Sequence, residues 1–221
     1  MEIWLDTADL KVIANAKQMG ILYGITTNPS IVAKSKEHLE ILLERLLEIQ
    51  SGPVTVQVTS EDAKLMVHQG EAIFQFSDRI LVKVPVTSEG IKAIHELNQK
   101  KIPTMATAVF DLNQVLLAAR AGATYIAPYF SAICESDEDG VEQFKAMLRL
   151  IHRYQYPSKI IAASLKSSEH VKQCLEMGVQ AVTLKDEVFS TLIENHPETL
   201  KRVDRFAKDW TGAKERKLLP L

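Results

Sequence analysis

Cysteine is scarce in this chain: only Cys134 and Cys174 occur among 221 residues. They are far apart and outside any CxxC pairing, so neither a disulfide framework nor a cysteine zinc site is expected, and both read as unpaired thiols. The six histidines, His38, His68, His95, His152, His170 and His196, fall in or beside stretches of helical period. None closes an apolar run, which leaves metal-dependent catalysis short of imidazole ligands, and no metal is expected. Glycine is sparse as well. The nearest cluster, Gly20 and Gly24, is too thin to cradle a pyrophosphate, and neither a P-loop nor a dinucleotide fingerprint occurs, so no cofactor is expected. No basic stripe stands out from a formal net charge of -2, which argues against nucleic acid as a partner. Long apolar runs are missing too, and the start MEIWLDTADL lacks the pattern of a cleaved leader. The expectation is a cytoplasmic protein with no membrane contact.

What the sequence does contain is a regular alternation. Short apolar runs rich in β-branched residues (EIWLD, GITTN, VTVQV, ILVKV, TMATAV, TYIAPY, KIIAAS and AVTLK) are separated by longer stretches of helical period. That is the pattern of repeated βα units around a parallel sheet. Between Glu37 and Ile49, Leu39, Leu42, Leu43, Leu46 and Leu47 share one helical face, and Ile91, Ile94 and Leu97 do the same further on. Asn28 before Pro29 predicts a helix start, Thr59 with Asp62 resembles a capping box, and Gly20, Gly122 and Gly178 suit left-handed helix stops. About eight such units predict an α/β fold, a single (β/α)8 TIM barrel, with an open doubly wound sheet as the alternative. The chain is expected to be one domain, with the barrel over about 1–195 and an extra C-terminal helix and tail over about 197–221. That helix carries an apolar stripe of Leu200, Val203, Phe206, Ala207 and Trp210.

In a barrel of this class, function gathers at the carboxyl ends of the strands. The polar residues there are Asp6, Thr26, Asn28, Gln57, Lys83, Thr107, Tyr129, Ser164, Lys166 and Lys185. Lys83 is the sharpest, because it sits inside ILVKVPV between Val82 and Val84, in what should be a fully buried strand. Burying an ammonium is costly, desolvation lowers its pKa, and the neutral amine can then attack a ketone to form a Schiff base. Alternatively, its stem lies along the barrel wall while its head reaches water or pairs with Asp6.

The segments LDTAD, GITTNPSI, ILVKVPVTSEGIKAI, IPTMATAVF, AGATYIAPY and IIAASLKS together resemble the transaldolase family, and the likeness runs from Glu2 to Trp210. It is greatest to the branch of small bacterial fructose-6-phosphate aldolases and their transaldolase-like relatives. The resemblance implies a metal-independent Schiff-base enzyme with the catalytic lysine at Lys83. It also implies that Asp6 and Asn28 position and polarise substrate, that Thr26 lines the site, and that Ser164 and Lys166 contact phosphate. Gln57 and Tyr129 match the aldolase branch, where transaldolases usually carry glutamate and phenylalanine. A tyrosine hydroxyl beside a water held by Gln57 and Thr107 could then move protons, unless Tyr129 is simply an aromatic on the rim. The chain departs from the pattern at Ala132, where relatives place an arginine that grips the substrate phosphate, and Glu135, Asp137, Glu138 and Asp139 follow. The expected function is therefore an aldolase joining a dihydroxyacetone-like ketone to an aldehyde such as glyceraldehyde 3-phosphate. The alternatives are a transaldolase passing the three-carbon unit between sugar phosphates, and a non-catalytic sugar-binding barrel. Relatives use the last helix to reach a neighbouring subunit, so a homo-oligomer, pentamer or decamer, is implied.

Overall fold

The computed structural model describes residues 1–136 and 139–212, so Asp137, Glu138 and the tail 213–221 lie outside the described residues. In chain order the first half comprises β1 (Glu2–Asp6), α1 (Leu10–Gln18), β2 (Leu22–Thr26), α2 (Pro29–Ser35), α3 (Leu39–Ile49), β3 (Val54–Gln57), α4 (Ala63–Phe76) and β4 (Ile80–Pro85). Then follow α5 (Ser88–Gln99), β5 (Thr104–Val109), α6 (Leu112–Ala121), β6 (Tyr125–Pro128), α7 (Phe130–Ser136) and α8 (Gly140–Arg153). The chain continues with β7 (Lys159–Ala162), α9 (Ser168–Glu176), β8 (Ala181–Leu184), α10 (Asp186–Leu192) and α11 (Pro197–Gly212). All strand pairs are parallel and the order β1 to β8 closes on itself, so the fold is the (β/α)8 barrel and not the open sheet.

Period-two alternation sorts each strand between two cores. In β4, Ile80, Val82 and Val84 join the large apolar cluster between sheet and helices, while Leu81 belongs to a second cluster with Trp4, Met105, Tyr125, Ala127, Ile161, Ala163 and Ala181. This second cluster is the barrel interior. At its amino-terminal end Trp4 is fully buried and packs against Tyr23 and Tyr125, with ring centroids 5.3 and 5.2 Å away. Gly24 is required there, because a Cβ would lie 2.7 Å from the Trp4 ring. The Glu2 carboxylate accepts from Lys159 Nζ (2.6 Å), Tyr125 OH (2.8 Å) and Trp4 Nε1 (3.2 Å), tying β1 to β6 and β7.

Two connections hold two helices where the sequence pattern suggests one. Pro29 opens α2 under an Asn28 cap, and Lys36, at a left-handed φ of 58°, stops it, so α3 begins at Leu39 and not at Glu37. Leu42, Leu43 and Leu46 form its buried face, while Leu39, in its first turn, stays 37% exposed. After β6 the chain likewise makes α7 and then α8. The capping box expected at Thr59 does not form. Asp62 caps α4 itself by accepting from the Leu65 amide (3.0 Å), and the amides of Thr59 and Ser60 are taken by Gln69 Oε1. The three expected glycine stops, Gly20, Gly122 and Gly178, have φ of 72°, 94° and 75°. The stripe on α11 is exposed: Leu200, Val203, Phe206 and Trp210 keep 44% to 58% of their surface. Among the described residues no helix is long and apolar enough to cross a membrane.

Candidate active site

The interior alternation carries past the apolar layer to a polar one. Two residues beyond Trp4 comes Asp6, two beyond Leu81 comes Lys83, two beyond Ala127 comes Tyr129, and two beyond Ala181 comes Thr183. These groups meet in a cavity of about 150 Å³, together with Thr26, Asn28, Met105, Ser164 and Lys185. Closure of the sheet therefore brings seven of the ten strand-end residues singled out in the sequence, Asp6, Thr26, Asn28, Lys83, Tyr129, Ser164 and Lys185, to one place.

Lys83 is only 6% exposed, and its Nζ donates to the Thr27 carbonyl at 3.0 Å. Burial pulls its pKa below the usual lysine range, and the negative charge of Asp6 opposes that shift without cancelling it. The lysine thus spends more of its time as a neutral amine than a surface lysine does. Asp6 is held from behind. Thr26 Oγ1 donates to Asp6 Oδ1 at 2.7 Å, which leaves Thr26 to accept the Thr183 hydroxyl proton at 2.6 Å. Asn28 caps α2 through its Oδ1, which takes the Ile31 amide at 3.0 Å, and this fixes the side chain at the cavity edge.

Thr107 is buried and lies 3.3 Å from the Tyr129 hydroxyl. Strand β5 shifts register between Ala106 and Val109, and Ala108 takes a left-handed φ of 57°. Such an irregularity re-aims side chains beside a site. Phe110 stands edge-on to the Tyr129 ring at 5.4 Å. Ser164 also holds a left-handed φ, 59°, at the end of β7.

Two sequence-based candidates sit elsewhere. Gln57 lies opposite Lys83 in the sheet but lines a separate, larger cavity of about 720 Å³ with Val58, Met66 and Thr87. Lys166 is outside the Lys83 cavity on the surface, where its Nζ is paired with Glu135 at 2.6 Å. Sequence reading missed Thr183, although its alternation with Ala181 in AVTLK marks it as inward-facing, and it missed the Thr27 carbonyl that anchors Lys83. A second cavity of about 490 Å³ adjoins the first, sharing Asp6, Asn28 and Lys185. There Asp186 accepts from Thr7 Oγ1 at 3.1 Å, its other carboxylate oxygen is buried without a partner among the described residues, and burial raises its pKa.

A buried amine of lowered pKa, ringed by a carboxylate and hydroxyls at the carboxyl end of a barrel, is suited to covalent carbonyl chemistry. Compared with known proteins, residues 3–218 match the model of the family described as Transaldolase/Fructose-6-phosphate aldolase. The chain belongs to this family. "Probable transaldolase" from Geobacillus thermodenitrificans is 38% identical over 95% of the chain and 98% of its own length. The proteins of that name from Halalkalibacterium halodurans (37%) and Syntrophomonas wolfei (35%) each match 96% of the chain and are covered completely. The chain is thus an enzyme of the aldolase and transaldolase type, which sets aside the non-catalytic barrel.

Proposed function

We propose that the enzyme holds a ketose as a Schiff base on Lys83 and passes its dihydroxyacetone unit to an aldehyde, the transaldolase reaction between sugar phosphates. The observation that carries this reading is the Lys83 amine, buried and of lowered pKa in one cavity with Asp6, Thr26, Asn28 and Tyr129. The neutral amine adds to the ketone carbon, and loss of water gives an iminium. This electron sink allows the bond between the third and fourth carbons to break, releasing an aldehyde and leaving a three-carbon enamine on Lys83. Asp6 and Asn28 position and polarise the substrate, and Thr26 lines the site. Ser164 contacts the substrate's far end. Attack of the enamine on a second aldehyde, followed by hydrolysis, completes the transfer.

The relatives, each named a probable transaldolase, weigh toward this outcome over aldol cleavage. One observation favours the aldolase reading: Tyr129 lines the cavity with its hydroxyl 3.3 Å from Thr107, a group able to protonate the enamine and free the ketone. Water relay through Gln57 gains no support, because that side chain lines the neighbouring cavity. With Ala132 in the arginine's place and Lys166 occupied by Glu135, the grip on a phosphate rests on fewer cations than the family pattern provides.

The test follows glyceraldehyde 3-phosphate released from fructose 6-phosphate, with and without erythrose 4-phosphate. Release only with the acceptor supports transfer, and release without it supports cleavage. Borohydride reduction in the presence of fructose 6-phosphate should label Lys83, and label on another lysine with Lys83 untouched defeats both readings. We also propose that the exposed stripe of α11 is covered by a second copy in a homo-oligomer, a pentamer or decamer. A monomeric mass at micromolar concentration would refute this.

A further inference from the structure

One imidazole joins the chain just past Tyr129 to the chain just past Ser164. His170 lies in the first turn of α9, and its Nδ1 accepts the Lys166 amide proton at 3.4 Å. That nitrogen is therefore the unprotonated one, and its single lone pair is shared with the hydroxyl proton of Ser131, the nearer donor at 2.8 Å. Ser131 is fully buried two residues past Tyr129, and the Phe130 ring stands edge-on to the imidazole at 5.4 Å.

The backbone stitching of these loops stops short of the residue that faces the cavity. Phe130 N donates to the Ala163 carbonyl and Ala163 N to the Pro128 carbonyl, both at 3.0 Å, and Tyr129 bridges to Ala163. Ser164 comes one residue later, at a left-handed φ of 59°, which a serine keeps only when its surroundings impose it. The two bonds to His170 Nδ1 fasten the chain on the far side of Ser164 to the start of α7.

We infer that His170 is a positioning residue: by accepting from both Lys166 N and Ser131 Oγ, it sets Ser164 against the substrate in the Lys83 cavity. The role of the substrate in this statement rests on the Schiff-base reading above, whereas the fastening of the loop does not. Two substitutions separate hydrogen bonding from packing. His170→Asn keeps an acceptor near the place of Nδ1 but gives up bulk against Phe130. His170→Leu keeps the bulk and removes the acceptor.

The test compares these variants and Ser131→Ala for KM and kcat with fructose 6-phosphate and erythrose 4-phosphate, and for deuterium uptake over residues 163–167. Expected for His170→Leu and Ser131→Ala is a KM raised about tenfold, the scale of one lost hydrogen bond, with kcat within about twofold and faster uptake over that segment. His170→Asn should stay near wild type in both. The reverse order, with leucine tolerated and asparagine impaired, makes His170 a packing residue and overturns the inference. Should His170→Leu fail to fold, Ser131→Ala carries the comparison, and an unchanged KM and uptake in it overturns the inference equally. If wild type shows neither turnover nor a Lys83 adduct, the Schiff-base reading falls. The fastening is then judged on uptake alone, and equal uptake in the leucine and asparagine variants refutes it.

Discussion

Replacing Lys83 with methionine should stabilise the enzyme at neutral pH while abolishing its adduct. The side chain is 6% exposed and its charge is taken out of water with, among the described residues, only the Thr27 carbonyl as a hydrogen-bond partner, so the folded chain holds the ammonium less willingly than the unfolded chain does. Its folded pKa lies below the unfolded value of 10.5. Between those two values the unfolded state binds more protons, so wild-type stability rises with pH, by up to about 1.4 kcal/mol per pH unit for one group. Below the lowered pKa the penalty is complete and constant, and above 10.5 it is gone. Methionine has no such penalty, though it leaves the Thr27 carbonyl without its donor, at a cost of about 1 kcal/mol. Urea unfolding of both proteins from pH 6 to pH 10 isolates the lysine, because every other titration is common to the pair. The stability advantage of Lys83→Met should shrink as pH rises, and borohydride trapping by wild type should quicken over the same window. An advantage that stays flat, or grows, would show that Lys83 is not desolvated and would remove the basis for its nucleophilicity.

Tyr129→Phe removes a hydroxyl with one long contact to Thr107, so thermal stability should hold while acceptor-free aldehyde release, where present, falls about 10²-fold and transfer to erythrose 4-phosphate persists. Equal loss of both activities would place the hydroxyl in a shared step. Glu2→Gln disturbs three hydrogen bonds at the opposite end of the barrel. It should cost about 1–3 kcal/mol in urea unfolding with KM unchanged, and a shifted KM would contradict the separation of the two ends. Glu135→Gln frees Lys166 from an exposed ion pair worth at most about 1 kcal/mol, so stability should not move while inhibition by inorganic phosphate tightens about threefold. No change in inhibition would mean that Lys166 does not serve the site.

The parts of the fold that follow from strand period could be read from the sequence, and those set by where a loop turns could not. In ILVKVP, the alternation that sends Val82 and Val84 toward the helices necessarily sends Leu81 and Lys83 into the barrel, so a lysine between two valines already announces a buried amine. The same parity places Asp6, Thr26 and Tyr129 with it once the sheet closes. Beyond the strand ends parity lapses. At the last residue of β3 it already fails to decide the site, since Gln57 has the register of Lys83 and still lines a different cavity. Lys166 turns outward to a glutamate 31 residues away, and the cap of α4 falls to Asp62 because its carboxylate, not the Thr59 hydroxyl, meets the Leu65 amide. The partnership of Thr26 with Thr183 spans 157 positions and exists only because β8 returns beside β1. Barrel closure therefore gathers the reactive groups from local pattern alone, whereas their aim depends on contacts such as those of His170 and Thr183, whose partners no local pattern identifies.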